Sequence, residues 1–168
     1  MGIEDTNEKD NVVEASTHLI IFRLGTEEYG IRIEQVKEVT LTPKIARMPK
    51  TPAFIKGVAN IRGDIIAIMD LEERFNISKT NSEDLSGSTY TLVIEAKEYT
   101  LGLTVRDMPQ SLSVPVSRID RTPTLLQDVN IHQNYIEGIA KLENRLIILL
   151  DIYKILTQLE VDELQQQV

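Results

Sequence analysis

The sequence predicts an all-β protein built as two small five-stranded β-barrels side by side, and three observations predict it. Ile55 to Leu71 (IKGVANIRGDIIAIMDL) is echoed at an offset of 81 residues (136 − 55) by Ile136 to Ile152 (IEGIAKLENRLIILLDI). From His18 onward, apolar stretches recur at strand length and are bounded by turn residues. A polar, turn-rich stretch, Asn76 to Ser88 (NISKTNSEDLSGS), separates the two copies. Closing each sheet removes most exposed strand edges. A repeat with a polar connector favours two barrels over one large sandwich.

The arm at residues 1–17 is polar and acidic without apolar periodicity, so it is expected to be disordered. Strands are expected at His18 to Leu24, Tyr29 to Ile33, Val36 to Leu41, Gly57 to Ile61 and Ile65 to Met69. Gly25 to Glu28 and Arg62-Gly63-Asp64 supply turns, Gly63 because it takes a positive φ cheaply. Asp70 then caps a short helix to Phe75. The second set runs Tyr90 to Ala96, Tyr99 to Val105, Gln110 to Val114, Gly138 to Leu142 and Leu146 to Leu150. Asn144 stands where the first copy has Gly63, so the two turns are expected to share a geometry. The Glu28-Tyr29 and Glu98-Tyr99 pairs lie only 70 apart (98 − 28), which places an insertion between Arg106 and Glu137. Pro109, Pro115 and Pro123 interrupt that insertion, and Thr124 to Val129 suits a short helix. Asp151 caps a longer helix to about Gln166, with Ile152, Ile155, Leu156 and Leu159 on one face. The folded unit is thus expected over residues 18–156. The first barrel and its helix take 18–75, the connector 76–88, the second barrel 89–156, and the end of the last helix and a tail 157–168.

Composition narrows the function. There is no cysteine, which excludes disulfides, thiolate zinc sites and thiol catalysis. Apolar runs such as Ile65 to Met69 fall far short of the ~20 residues of a membrane span. Glu4, Asp5, Glu8 and Asp10 occupy the place of a secretory signal's basic and apolar segments. A cytoplasmic location without membrane insertion is expected. A formal net charge of −8 argues against bulk attraction to nucleic acid. Seven basic residues between Arg32 and Arg62 nevertheless make the first half locally less acidic; a solvated mixed-charge surface accounts for them without a partner.

Catalytic motifs are missing. His18 and His132 lack a partner at metal or catalytic spacing, and Asp64, Asp70, Glu72 and Glu73 form only a loose acidic group. No phosphate-binding loop, dinucleotide turn or nucleophile elbow occurs. Neither a catalytic residue, a metal site nor a cofactor is expected, and an interaction module is the stronger expectation. The alternative is a small ligand-binding or enzymatic β-protein with a pocket between the barrels. One position already stands out. The copies keep their glycines, apolar alternation and closing aspartates, but Arg62 in the first faces Glu143 in the second, a reversal that a shared fold does not need.

Thr51-Pro52-Ala53-Phe54-Ile55-Lys56-Gly57-Val58, followed by Asn60-Ile61-Arg62-Gly63 and closed by Met69-Asp70-Leu71, resembles the signature of the CheW family of bacterial chemotaxis coupling proteins. Glu27 to Ile31, Val36 to Val39, Tyr135 to Gly138 and Leu146 to Asp151 extend the resemblance over His18 to Leu156. It implies SH3-like barrels and a non-enzymatic adaptor. Such an adaptor joins the cytoplasmic tip of a chemoreceptor (a methyl-accepting chemotaxis protein) to the regulatory domain of the histidine kinase CheA, and it is recruited to membrane-associated or soluble receptor arrays. By motif, the resemblance assigns partner binding to Arg62 with Asn60 and Gly63, and to Val36 and Glu38. Ile33, Leu101, Leu103 and Val105 become candidates for an apolar receptor groove between the barrels. Ile45 and Ile65 become candidates for surface offered to the kinase. Val36 and Val105 suit a core position equally well, and Glu38 a solvated strand. The chain departs from the family at Thr104 and Arg106, which change polarity and charge beside the expected groove.

Overall fold

Runs that alternate or stay apolar over five to seven residues can bury one or both faces only as strands, and they do so here. The structure, a computed structural model, describes residues 15–77, 89–95, 99–121 and 135–155. In chain order these form β1 (Ser16–Leu24), β2 (Glu27–Arg32), β3 (Val36–Leu41), β4 (Ile55–Ile61), β5 (Asp64–Asp70) and a one-turn helix α1 (Leu71–Arg74). There follow β6 (Tyr90–Glu95), β7 (Thr100–Val105), β8 (Gln110–Pro115), β9 (Ile119–Asp120), β10 (Ile136–Leu142) and β11 (Arg145–Leu150). Single 3-10 turns lie at Ile33–Gln35, Val116–Arg118 and Ile152–Lys154. All ten expected strands occur, shifted by at most two residues at their ends. The two-residue β9 is additional; it is too short to leave a periodic signal.

The expected arm is shorter than residues 1–17, because Ser16 and Thr17 already pair with Pro115 and Val114 of β8. Both aspartate caps are made. Asp70 accepts hydrogen bonds from the N–H groups of Glu72 (3.0 Å) and Glu73 (3.4 Å), and Asp151 from that of Tyr153 (3.1 Å). A 3-10 turn, Ile152–Lys154, stands where the last helix is expected to begin; the remainder of that expectation, with Leu156 and Leu159, lies outside the described residues, as do the arm to residue 14, residues 78–88 of the connector and the helix expected at Thr124 to Val129.

The division into a first barrel at 18–75 and a second at 89–156 is corrected by strand pairing. One sheet runs β3-β6-β7-β5-β4 and the other β8-β1-β2-β11-β10-β9. Each therefore takes a hairpin from one repeat and the remaining strands from the other: β6–β7 completes β3 to β5, and β1–β2 completes β8 to β11. The reason is parallel pairing. β5 lies parallel to β7, with Ala67 opposite Leu101, and β11 parallel to β2, with Ile148 opposite Tyr29. A tight hairpin cannot deliver a parallel neighbour, so the other repeat supplies it. The result is two SH3-like barrels: barrel I (β3 to β7) and barrel II (β1, β2 and β8 to β11).

Strand alternation then sorts the side chains into three apolar clusters. Ile66 and Ile68 point into barrel I with Ala59, Ile61 and Val93. Leu19, Ile21, Ile147 and Leu149 point into barrel II. The intervening residues, among them Ile20, Phe22, Met69, Leu92, Leu103, Ile148 and Leu150, form one larger core shared by both barrels. Burial on both faces explains why β1, β5 and β11 read as unbroken apolar runs. Arg74 closes one end of this core. Its guanidinium stacks over Phe54 (4.8 Å) and Tyr135 (4.7 Å), and its Nε–H donates to the Ile155 carbonyl (3.0 Å). On barrel II, Arg32 grips Glu137, Nε lying 3.1 Å from Oε1, and this hydrogen bond holds the guanidinium pKa above its ordinary value. Burial pushes the Tyr29 phenol well above its usual range, with Glu27 adding to the shift.

Gly57 shows how closely barrel I is closed. Its φ of +141° lies where side chains strain, and a Cβ there would sit 2.1 Å from the Ala46 carbonyl oxygen. Ala46 and Val58 exchange two 2.8 Å hydrogen bonds across this contact, which brings the 42–50 segment onto β4. The repeat mate Gly138 does the same for β9, with Asp120 O 2.9 Å from its would-be Cβ.

Candidate functional site

In the β4–β5 hairpin, Ile61 pairs with Asp64, so Arg62 and Gly63 form a two-residue loop. Both have positive φ, +53° and +90°, the pattern of a type I′ turn, whose twist matches that of the flanking strands. Asn60 reinforces it by accepting the Gly63 N–H on Oδ1 at 2.9 Å. Glycine takes this conformation freely, whereas arginine in the left-handed region costs roughly 1 kcal/mol.

The arginine is held by a partner on another strand. Arg62 Nε lies 2.7 Å from Oε2 of Glu38 on β3. The contact spans from the β4–β5 turn to β3, at the opposite edge of the same sheet. Glu38 is largely covered, but 81% of the Arg62 side chain faces solvent. A pair this exposed contributes only about 0–1 kcal/mol. The turn is thus less favourable with arginine than with glycine, and the ion pair at best offsets the difference.

Ile65, just beyond the turn, is 55% exposed, as is its repeat mate Leu146 at 59%. Asn60, Arg62, Gly63, Ile65 and Glu38 therefore meet at one end of barrel I. Val36 lies on β3 across a bulge from Glu38, half-buried against the shared core. Ile33 is exposed in the 3-10 turn that leads into β3. Ile45 is half-buried against the apolar interior of barrel I.

Leu101, Leu103 and Val105 are not groove residues. They occupy successive inward positions of β7 and are buried in the shared core, because β7 is the central strand of its sheet and has barrel II against that face. Their neighbours explain the family departure. The Thr104 hydroxyl donates to the Met69 carbonyl (3.3 Å), and Arg106 Nη2 pairs with the buried carboxylate of Glu72 (3.2 Å). Polarity at these two positions satisfies groups of the fold itself.

Sequence reasoning missed Val39 and Leu41. On the edge strand β3 the alternation turns Lys37, Val39 and Leu41 outward, and Leu41 is 61% exposed. The signal was present in the period of two, but the sequence does not say which face of an edge strand lies outside. Exposed apolar residues on a sheet edge are a common feature of docking surfaces.

The second hairpin does not repeat the first. Leu142 pairs with Arg145 around Glu143 and Asn144, yet neither of these has a positive φ. The shared turn geometry expected from Gly63 and Asn144 is corrected accordingly. Lys141, at the place of Asn60, turns to Asp120 (3.2 Å) and cannot brace the loop as the Asn60 amide does. An open surface cleft of about 430 Å³ lies beside this turn, lined by Pro115, Arg118 and Leu142 to Arg145. A second of about 180 Å³ lies near Met108 and the Arg145–Glu28 pair. Among the described residues, the shared core occupies the space between the barrels. Among the described residues, no group of three or more metal-ligating side chains converges, and no helix is long and apolar enough to cross a membrane.

Residues 18–160 match the sequence profile of the CheW-like domain. The chain belongs to the CheW family. Its relatives include Chemotaxis protein CheW of Klebsiella aerogenes, 34% identical over 142 residues that cover 84% of this chain and 82% of the relative. Chemotaxis protein CheW of Treponema pallidum is 29% identical over 149 residues, 87% of this chain and 85% of the relative. Among solved structures, scaffolding protein TtCheW from Thermoanaerobacter tengcongensis superposes with a TM-score of 0.74 at 28% identity, covering 89% of this chain and 94% of that one. This CheW-family protein is a chemotaxis adaptor scaffold.

Proposed function

We propose that the chain acts in the cytoplasm by binding a chemoreceptor's helical tip and the regulatory domain of a histidine kinase of the CheA type together, and that it passes receptor state to the kinase without catalysing a reaction. One observation carries the reading: Arg62 is an exposed arginine kept in a backbone conformation that glycine would adopt more cheaply, and its repeat mate is Glu143. An unfavourable choice on the surface points to a constraint other than folding. Exposed Ile65, Val39 and Leu41 supply apolar area on the same barrel, so a partner meets one cation amid greasy side chains, the composition of an interface hot spot. Coupling follows from linkage: the adaptor transmits a receptor change when its contacts differ in strength between the two signalling states.

Capture of the tagged protein from lysate, followed by mass spectrometry, tests the partners. Recovery of a chemoreceptor together with a histidine kinase is the expected result. Recovery of neither would overturn the proposal.

A further inference from the structure

The two crossings between barrels differ in a way that bears on self-association. The β1–β2 hairpin completes barrel II yet is joined to the chain that follows only through Ile33–Gln35, which leads into β3 of barrel I. That link is one 3-10 turn between residues already extended, Arg32 (φ −60°, ψ 132°) and Val36 (φ −98°, ψ 113°). Gln35 within it buries its Oε1 without a hydrogen-bond partner among the described residues, a cost the folded chain carries at this point. Both crossings begin at an ion-paired arginine, Arg32 with Glu137 and Arg106 with Glu72, but the other crossing, Arg106 to Pro109, is stiffened by proline.

We infer that the β1–β2 hairpin is an exchangeable element, donated between two copies of this chain to give a dimer in which each barrel II is completed by its partner's hairpin. Straightening Ile33–Gln35 fuses β2 and β3 into one strand over 27–41. Such a strand is about 50 Å long and carries the hairpin clear of its own barrel. It also returns the Gln35 amide to water. Every contact of the hairpin with β8 and β11 is recovered in the partner copy, so exchange costs chiefly the advantage of intramolecular association and rises with concentration. Short hinges carrying local strain favour this outcome. The occupant is a second copy of this chain, since the parallel register against β11 and the antiparallel register against β8 are specific to this hairpin.

The absence of cysteine makes a clean test available. His18 and Ser113 face each other across β1 and β8 and are both exposed, at a strand-pair distance that a disulfide spans. The double variant H18C/S113C serves as control and should close a bridge within one chain in the dilute monomer. The decisive sample mixes the single variants H18C and S113C, unfolded and refolded together at high protein concentration before oxidation. A covalent dimer whose peptide map links position 18 to position 113 is the expected product. In the same mixture prepared with Gln35→Leu in both chains, the orphan oxygen is gone and the linked fraction should fall by about fivefold. A closed intrachain bridge in the control, with no 18-to-113 link between chains in the mixture, overturns the inference. So does a linked fraction that Gln35→Leu leaves unchanged, because the strain at the hinge would then not drive exchange.

Discussion

The β4–β5 and β10–β11 hairpins are one unit folded twice, and they part company at their tips. Both open on a bulge at a glycine, both keep Ile66 or Ile147 pointing into a barrel, and both end on a capping aspartate. Yet the first closes in a left-handed turn at Arg62-Gly63 with Asn60 bracing it, and the second closes around Glu143 and Asn144 without positive φ. Where the barrel is built, the copies agree because sterics leave little choice. Where the chain meets solvent, they differ in charge and in backbone, and the costlier backbone belongs to the copy with the exposed cation. The comparison separates what the fold demands from what a partner demands.

The largest effect should come from the shared part. Gly57→Ala places a Cβ 2.1 Å from the Ala46 carbonyl at a φ that side chains avoid, whereas Gly138→Ala meets Asp120 O at 2.9 Å without that φ. Urea denaturation should show a loss of about 3 kcal/mol or more for Gly57→Ala and about half as much for Gly138→Ala. Equal losses would mean that both glycines serve only close approach, and that the strained φ of Gly57 adds nothing.

The next effect concerns the tips. Arg62→Gly removes an ion pair of about 0–1 kcal/mol and relieves a left-handed arginine of roughly equal cost, so stability should change by less than about 0.5 kcal/mol. Affinity for the kinase regulatory domain or the receptor tip should nonetheless fall by about 2 kcal/mol if Arg62 is a hot spot. Glu143→Gly, the same change in the other copy, should leave both affinities unaltered. Calorimetric titration of the two variants against each partner decides the matter, and unchanged binding for Arg62→Gly would remove Arg62 from the interface.

Much of this was legible in the sequence, for identifiable reasons. Strands such as Ile65 to Met69 and Leu146 to Leu150 announced themselves because burial on both faces leaves an unbroken apolar run. Asp70 and Asp151 were readable as caps because a carboxylate just before a helical turn satisfies free N–H groups. Pairing between halves was not readable: a repeat reveals its unit, but a parallel neighbour is chosen by surfaces far apart in the chain. The same limit misplaced Leu101, Leu103 and Val105. Alternation put them on one face of β7, and only the position of barrel II makes that face interior. At the site, Arg62 was visible through its contrast with Glu143, whereas its bond to Glu38, 24 residues away, and the exposure of Val39 and Leu41 needed the third dimension.

The smallest expected difference lies at the closing aspartates, and it tests how far the copies remain equivalent. Asp70 accepts two backbone N–H groups at the start of α1 and lies 3.7 Å from Lys56 Nζ, while Asp151 accepts one at the head of a 3-10 turn and lies 3.9 Å from Lys154 Nζ. Residues 71–74 form a full α turn, and the Glu72 carboxylate within it is held by Arg106. Loss of the first cap therefore loosens an element that is tied into the shared core at Leu71. Asp70→Ala should cost about 1 kcal/mol and Asp151→Ala about 0.5 kcal/mol in denaturation experiments. Asparagine at either place keeps the accepting oxygen and should recover most of each loss. A larger cost at Asp151 than at Asp70 would show that the second cap supports more of the shared core than its single hydrogen bond indicates.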